Sequence, residues 1–346
     1  MARAAPFKSI PSQLFPLAGI LLLFAVNIAF DLAGGRVGLT RPGAFLHIGI
    51  ADGVPSGAII DILNYGSGIA ILAIGMTLVT ASRGVDLSLG SIMAICGAVA
   101  VELLNHGTPA WACIAAALAA GLLCGLWNGI LISMLDLQPF VATLVLLVCG
   151  RGVAQMITLG QTTAFHDPLL EFVGLGRLAW LPLPLPFILA LTILSATLFI
   201  VRCTRAGLTL ESFGDSPVAA RFAGVQPRIV QLAIYGFSGM CAAVSGLIAA
   251  ANIKAADPFN CGRNSELGAI FAAVVGGTAL TGGRFSLSGA FIGAFLLQTL
   301  TTTMYARDVS ADVAPLPQAM VILAVCIAAS PKLRQRIRDW RSGTRP

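Results

Sequence analysis

The chain has 346 residues, of which 57% are hydrophobic and 10% charged, with a mean hydropathy of +0.89. A soluble globular domain carries about a quarter charged residues, so that class is excluded. The net charge of +6 does not point to nucleic acid, because the basic residues form no stripe interleaved with aromatics.

Runs of about 20 apolar residues, enough to cross the hydrocarbon core, follow one another along the chain. Broken at glycine, proline and charge, they predict about ten spans: 11–30, 59–80, 88–105, 109–135, 139–158, 184–203, 229–251, 266–281, 286–305 and 314–330. The first is too long for the apolar part of a signal peptide and precedes no small-residue cleavage site, so it reads as a retained span. With the N-terminus inside, cytoplasmic loops hold 14 Lys and Arg and external loops hold 6, Arg151 lying within a span. That asymmetry predicts an N-in, C-in, all-α polytopic bundle forming one transmembrane domain over 1–346. Within it, 205–228 is the main cytoplasmic loop and 331–346 a basic cytoplasmic tail.

Several chemistries have no carrier here. The eight cysteines are scattered singly with no CxxC, and read as small apolar packing residues. His47, His106 and His166 are far apart, with no metal-ligand spacing. No GxxxxGK[ST], HExxH or GxSxG occurs, and no acid–base dyad is visible. The reading therefore assigns no catalytic residue, no metal site and no cofactor to this chain.

Polar residues among the spans carry the remaining signal, because an ionisable group in a membrane is costly unless paired or wet. Residues 75–91, GMTLVTASRGVDLSLGS, interrupt two apolar runs. Asp86 can cap the third span, Gly84 can turn the backbone sharply, and Thr80 and Ser82 can satisfy carbonyls released at the end of the second. Arg83 can pair with Asp86. The segment is either a hinge beside a translocation path or plain structural capping. Asp61, Glu102, Asp136 and Glu266 lie at predicted span ends. Arg151 lies near mid-span, where it pairs with a carboxylate or caps carbonyls of a broken helix. GMTLVT at 75–80 and GGTALT at 276–281 hint at a repeat, too weak in sequence to build on.

The 75–91 stretch is similar to the signature of ribose-type sugar permeases of bacterial ATP-binding-cassette importers, with Val85 where isoleucine is usual. Segments 125–161, 266–287 and 293–303 extend the resemblance, 125–161 looking particularly like galactofuranose importer permeases; it covers 59–330 in order. It implies a chain that lowers the barrier to a galactofuranose-, galactose- or ribose-like sugar and performs no bond chemistry. The implied partners are a second permease subunit (a paralogue, or a second copy), a cytoplasmic ATPase carrying ATP–Mg, a periplasmic sugar-binding protein and membrane lipid.

Such permeases dock their ATPase through Glu-Ala-Ala-x-x-x-Gly. Here Ala219, Ala220 and Gly224 match, with Arg221 between and Glu211 upstream, while Val218 replaces the glutamate. The resemblance and the need for uncharged sugar partners nominate Asn64, Thr77, Asn128, Thr143, Gln155 and Thr278 for the path. Arg83, Gly84, Asp86, Ser88, Arg151, Gly276 and Gly277 are its hinge candidates. Two departures stand out: Asp136, and the external loop 258–261. The rivals are a permease of the same superfamily carrying branched-chain amino acids or nucleosides, and an ion-coupled transporter relaying through Asp61, Asp86 or Arg151.

Overall fold

The computed structural model describes residues 14–34, 45–51, 54–178 and 181–307, together with 309, 313, 316, 317, 319, 320 and 323. The predicted span 314–330 and the basic tail 331–346 lie almost wholly outside the described residues.

Helix α1 (Leu14–Ala33) leads through the hairpin β1 (Gly49–Ala51) and β2 (Val54–Ser56) into α2 (Ala58–Ala81). There follow α3 (Leu89–Asn105), α4 (Ala110–Ser133) and α5 (Pro139–Ile157). A capping segment comprises β3 (Thr163–Ala164), α6 (Pro168–Leu175), β4 (Arg177–Leu178) and β5 (Leu181–Pro184). The chain continues through α7 (Leu185–Cys203), α8 (Arg205–Asp215), α9 (Pro217–Phe222) and α10 (Pro227–Ile253). Then come β6 (Ala255–Ala256), α11 (Ser265–Val275) and α12 (Leu287–Tyr305). Strand β3 pairs with β6, and β4 with β5, both antiparallel.

Among the described residues, seven helices are long and apolar enough to cross a membrane: α1, α2, α4, α5, α7, α10 and α12. Burial sorts them into two layers. The apolar windows of α2, α10 and α12 are 72%, 67% and 72% buried, whereas those of α1, α4, α5 and α7 are 17–28% buried and turn large side chains outward. An apolar helix gains no hydrophobic drive toward another in lipid, so close backbone contact must hold the layers together. The α4–α10 seam is built this way. A Cβ on Gly125 would lie 2.2 Å from the Tyr235 carbonyl, and one on Gly121 2.6 Å from that of Gly239.

Helices α3 and α11 are shorter, at 17 and 11 residues, or about 25 and 16 Å. The predicted span 266–281 is therefore corrected: its helix stops at Val275, and Gly277, Gly282 and Gly283 adopt positive φ of 94°, 87° and 81°. The faint repeat has a structural counterpart here. GMTLVT closes α2 and GGTALT follows α11; each leads past an arginine (Arg83, Arg284) to a serine N-cap, Ser88 or Ser286, that opens the next helix.

Candidate functional site

The break between α2 and α3 differs in detail from its expected chemistry. Arg83, not Gly84, takes the left-handed turn, with φ 64°. Gly84 is required for space: a Cβ there would meet the Tyr235 hydroxyl at 2.4 Å. Ser82 Oγ donates to the Val79 carbonyl at 2.7 Å, as expected, but Thr80 Oγ1 is buried without a hydrogen bond. Asp86 is not the N-cap of α3, since that position belongs to Ser88. Its carboxylate accepts from Ser88 N at 3.0 Å and Ser88 Oγ at 2.6 Å through Oδ1, and from Ser238 Oγ at 3.0 Å through Oδ2. Asn128 Nδ2 donates to Ser88 Oγ at 2.8 Å. Asp86, Ser88, Asn128 and Ser238 are all fully buried. The structure thus brings three nominated residues into one buried network that ties α3 to α4 and α10, with the Asn128 amide oxygen left without a partner. Burial of a carboxylate is tolerable only with such partners.

The expected Arg83–Asp86 pair is replaced by a longer reach. Arg83 Nε donates to the Gly214 carbonyl at 2.6 Å, and its guanidinium also donates to the Asp215 carbonyl. Both carbonyls lie at the end of α8, where unsatisfied acceptors and the negative dipole end favour a cation. The turn between α11 and α12 enters the same junction. Gly283 N donates to the Ala81 carbonyl at 2.9 Å. A Cβ on Gly283 would lie 1.9 Å from Asp215 Oδ1, and one on Gly214 2.1 Å from the Ala81 carbonyl. Three segments, 81–83, 214–215 and 282–283, therefore meet backbone to backbone.

From this junction the chain passes directly into α9. Ser216 Oγ accepts from Ala219 N at 3.2 Å, proline stands at the helix start, and Gly224 with φ 87° turns the chain beyond the end. Ala219, Arg221 and Gly224 are exposed, as is Glu211 on α8, but Ala220 is buried at 2% exposure. Ala219 shares the outer surface with Val218, 67% exposed, and Phe222, 90% exposed, while Ala220 packs inward. Phe222 was missed, although a large aromatic in a charged loop was a visible signal.

Arg151 takes the carbonyl option. It lies twelve residues beyond Pro139, about 18 Å along α5, and donates to the Cys261 carbonyl at 2.6 Å and the Pro258 carbonyl at 3.3 Å. The loop between β6 and α11 thus folds back along α5 instead of remaining at the end of the bundle. Gly262 in that loop packs on Gly90, where a Cβ would lie 2.2 Å from the Gly262 carbonyl. The irregular entries to α3 and α11 meet here, with Glu266 buried in the first turn of α11 against Gly90. Irregular backbone at such depth needs partners from the protein.

The other nominated residues are dispersed. Thr77 Oγ1 donates to the Ala73 carbonyl within α2, and Thr143 Oγ1 to the Pro139 and Val85 carbonyls. Thr278 Oγ1 accepts from Ser286 N across the α11–α12 turn. Gly276 lies against α12, with a hypothetical Cβ 2.2 Å from Ala290 N, and Gly277 continues the turn. Gln155 is half-buried on α5. Asn64 Nδ2 donates to Asn252 Oδ1 at 3.1 Å, joining α2 to α10 at the end opposite the junction. Asp136 has φ 51°, and aspartate tolerates that left-handed turn between α4 and α5 better than most residues. Among the described residues, no three His, Cys, Asp or Glu converge as metal ligands.

A bundle of long apolar helices, two shortened helices with irregular entries and an exposed two-helix loop define a polytopic membrane transport subunit. The chain belongs to the family described as branched-chain amino acid transport system, permease component, which matches residues 58–329. Curated relatives include the galactofuranose transporter permease protein of Escherichia coli K12, 43% identical over 298 residues, covering 86% of this chain and 87% of the relative. The fructose import permease protein of Bifidobacterium longum is 37% identical over 80% of this chain and 79% of its own. The ribose import permease protein of E. coli K12 is 34% identical over 79% of this chain and 85% of its own. No solved structure matches.

Proposed function

We propose that this chain is the transmembrane permease subunit of an ATP-binding-cassette importer of the bacterial inner membrane, carrying a galactofuranose-, galactose- or ribose-like monosaccharide into the cytoplasm. The family description names branched-chain amino acids, but the relatives that match across most of the chain are named for sugars.

One observation carries the mechanical part: the α8–α9 loop is exposed at its tip and held backbone to backbone at its root. In this reading Val218, Ala219 and Phe222 enter a cleft on a cytoplasmic ATPase, with Glu211, Arg221 and Gly224 at the edge of the contact. Closure of the ATPase pair around ATP–Mg displaces α9. Rigid linkage through Arg83 and Gly283 passes that displacement to the irregular entries of α3 and α12. The path then opens alternately to each side. A second permease subunit, taken as a paralogue, completes the path, and a periplasmic binding protein delivers the sugar. Hydrolysis belongs to the ATPase; this chain breaks no bond.

The test is affinity purification of the tagged chain from native membranes in mild detergent, followed by mass spectrometry. An ATPase and a second permease are expected to co-purify, with the ATPase reduced at least tenfold by Ala219→Trp or Phe222→Asp. Recovery of the chain alone, where a known importer stays intact, would contradict the reading and favour ion coupling.

A further inference from the structure

Where α7 ends and α10 begins, α8 lies beside them, and over Leu78 of α2 the three form an apolar groove of about 330 Å³. On α10 its wall extends from Ile229 to Phe237, about 12 Å of helix. On α7 it extends from Thr197 to Val201, and α8 adds Ala206 and Leu210. The groove therefore starts at the ends of two helices able to cross a membrane and runs along them toward the hydrocarbon. In the reading above, on which this inference rests, the edge where it starts is the cytoplasmic one.

The lining suits hydrocarbon. Its two hydroxyls are committed within their own helices: Thr197 Oγ1 donates to the Ile193 carbonyl at 2.7 Å and Thr209 Oγ1 to the Arg205 carbonyl at 2.8 Å. Every other lining side chain is apolar. The membrane edge of the same groove is cationic. Arg202 follows the lining residue Val201, Arg205 precedes Ala206, and Arg228 precedes Ile229. All three are exposed, and among the described residues none of their guanidinium groups has a hydrogen-bond or ion-pair partner. The acidic residues of α8, Glu211 and Asp215, lie farther along the helix and outside the lining.

We infer that this groove holds an acyl chain of an anionic phospholipid from the cytoplasmic leaflet, with its phosphate among Arg202, Arg205 and Arg228. Basic clusters beside membrane helices on that side attract anionic headgroups. Apolar wall and cationic edge match the two halves of such a lipid in the order a membrane presents them. Occupancy bears on coupling. Leu210 lines the groove, and one turn later α8 ends at Gly214 and Asp215, whose carbonyls accept from Arg83. Leu78 lines it from α2, three residues before Ala81 enters the same junction. A chain packed there braces the root of the α8–α9 loop against the bundle, so anionic lipid raises ATP-driven import.

The complete transporter, with ATPase and binding protein, is reconstituted in vesicles of phosphatidylcholine alone or of equal parts phosphatidylcholine and phosphatidylglycerol. ATP-driven import is read with radiolabelled D-galactose, D-fructose or D-ribose, and lipid retained by the detergent-purified complex is read by native mass spectrometry. Phosphatidylglycerol is expected to raise wild-type import about threefold or more. Ala233→Trp fills the groove from an exposed position, and the triple change Arg202→Gln, Arg205→Gln and Arg228→Gln discharges its edge. Both variants are expected to lose the stimulation and the retained phosphatidylglycerol, while their import in phosphatidylcholine matches wild type and the ATPase still co-purifies. Leu191→Trp, on α7 outside the lining, is expected to keep the stimulation. Stimulation absent from wild type, or equal in wild type and both variants, would overturn the lipid site and leave the importer reading standing. Loss of the ATPase from the arginine variant in either lipid, with stimulation intact in Ala233→Trp, would give the cations to the ATPase and likewise overturn the site. No ATP-driven import of any of the three sugars in either lipid would overturn the reading beneath it as well.

Discussion

Arg83 holds a left-handed backbone that costs a non-glycine residue about 1–3 kcal/mol, and spends its guanidinium on two carbonyls more than 130 residues away. Hydrogen bonds from a charged donor are worth about 1.5–3 kcal/mol each, enough to offset that strain. Arg83→Ala removes both bonds and is expected to lower import at least tenfold while ATP hydrolysis by the assembled complex persists. Arg83→Lys keeps the charge but loses the planar fork, so partial rescue is expected. The check is the ratio of sugar imported to ATP hydrolysed; an unchanged ratio in Arg83→Ala would show that the junction does not transmit motion. None of this partnership was legible in the sequence. Asp86 lies three positions away and is the nearer opposite charge, so local reasoning paired the two, while Gly214 and Asp215 become neighbours only through the tertiary fold.

Elements were far more legible than contacts. The predicted 59–80 and 139–158 agree with α2 and α5 to within a residue, because apolar length and flanking glycine or proline set both ends. The 266–281 run failed because its composition stays apolar after Val275 while its glycines leave the helix. Helix α6 carried a readable start, Asp167 before Pro168, and was passed over because eight residues cannot span a membrane. The facing of α9 was beyond reach, since a six-residue helix shows no periodicity to separate Ala219 from Ala220.

Two element-scale predictions follow from packing and charge. Gly125→Leu forces a side chain into the Tyr235 carbonyl and is expected to separate α4 from α10, destabilising the bundle by about 2 kcal/mol or more. Thermal unfolding in detergent checks this, and an unchanged midpoint would contradict the close-packed seam. At the capping segment, Lys254 Nζ lies 2.6 Å from Glu171 and holds its carboxyl below the usual carboxylate range, with His166 adding to the effect. A depressed folded pKa gives stabilisation present above the unfolded value near 4.5 and lost as pH falls through the folded value. Hydrogen exchange in α6 is therefore expected to accelerate, beyond its intrinsic pH dependence, as pH drops below about 4.5. Lys254→Met should flatten that response, and equal responses in both proteins would sink the assignment.

At the scale of the whole molecule, the two ends of the bundle have different characters. One end presents Phe222 on a loop rooted in three converging backbone segments; the other holds a mainly apolar cavity with Asp257 and Asn252 on its wall. Between them, α3 and α11 begin at irregular entries that touch through Gly90 and Gly262. The helical membrane class was plain from composition and run length, and the family from four ordered motifs. The nominated path residues were less legible, because facing in a bundle depends on neighbours: Thr77, Asn128 and Thr143 turned out to be bonded within the protein.

The central claim is that ATP hydrolysis on a partner drives sugar through this chain. Its most direct test is sugar uptake by proteoliposomes containing the complete complex, with ATP on the ATPase side and ionophores collapsing every ion gradient. The account predicts uptake that requires ATP and the ATPase, survives the ionophores and is lost in Phe222→Asp. Uptake that stops with the ionophores and proceeds without ATP would contradict it.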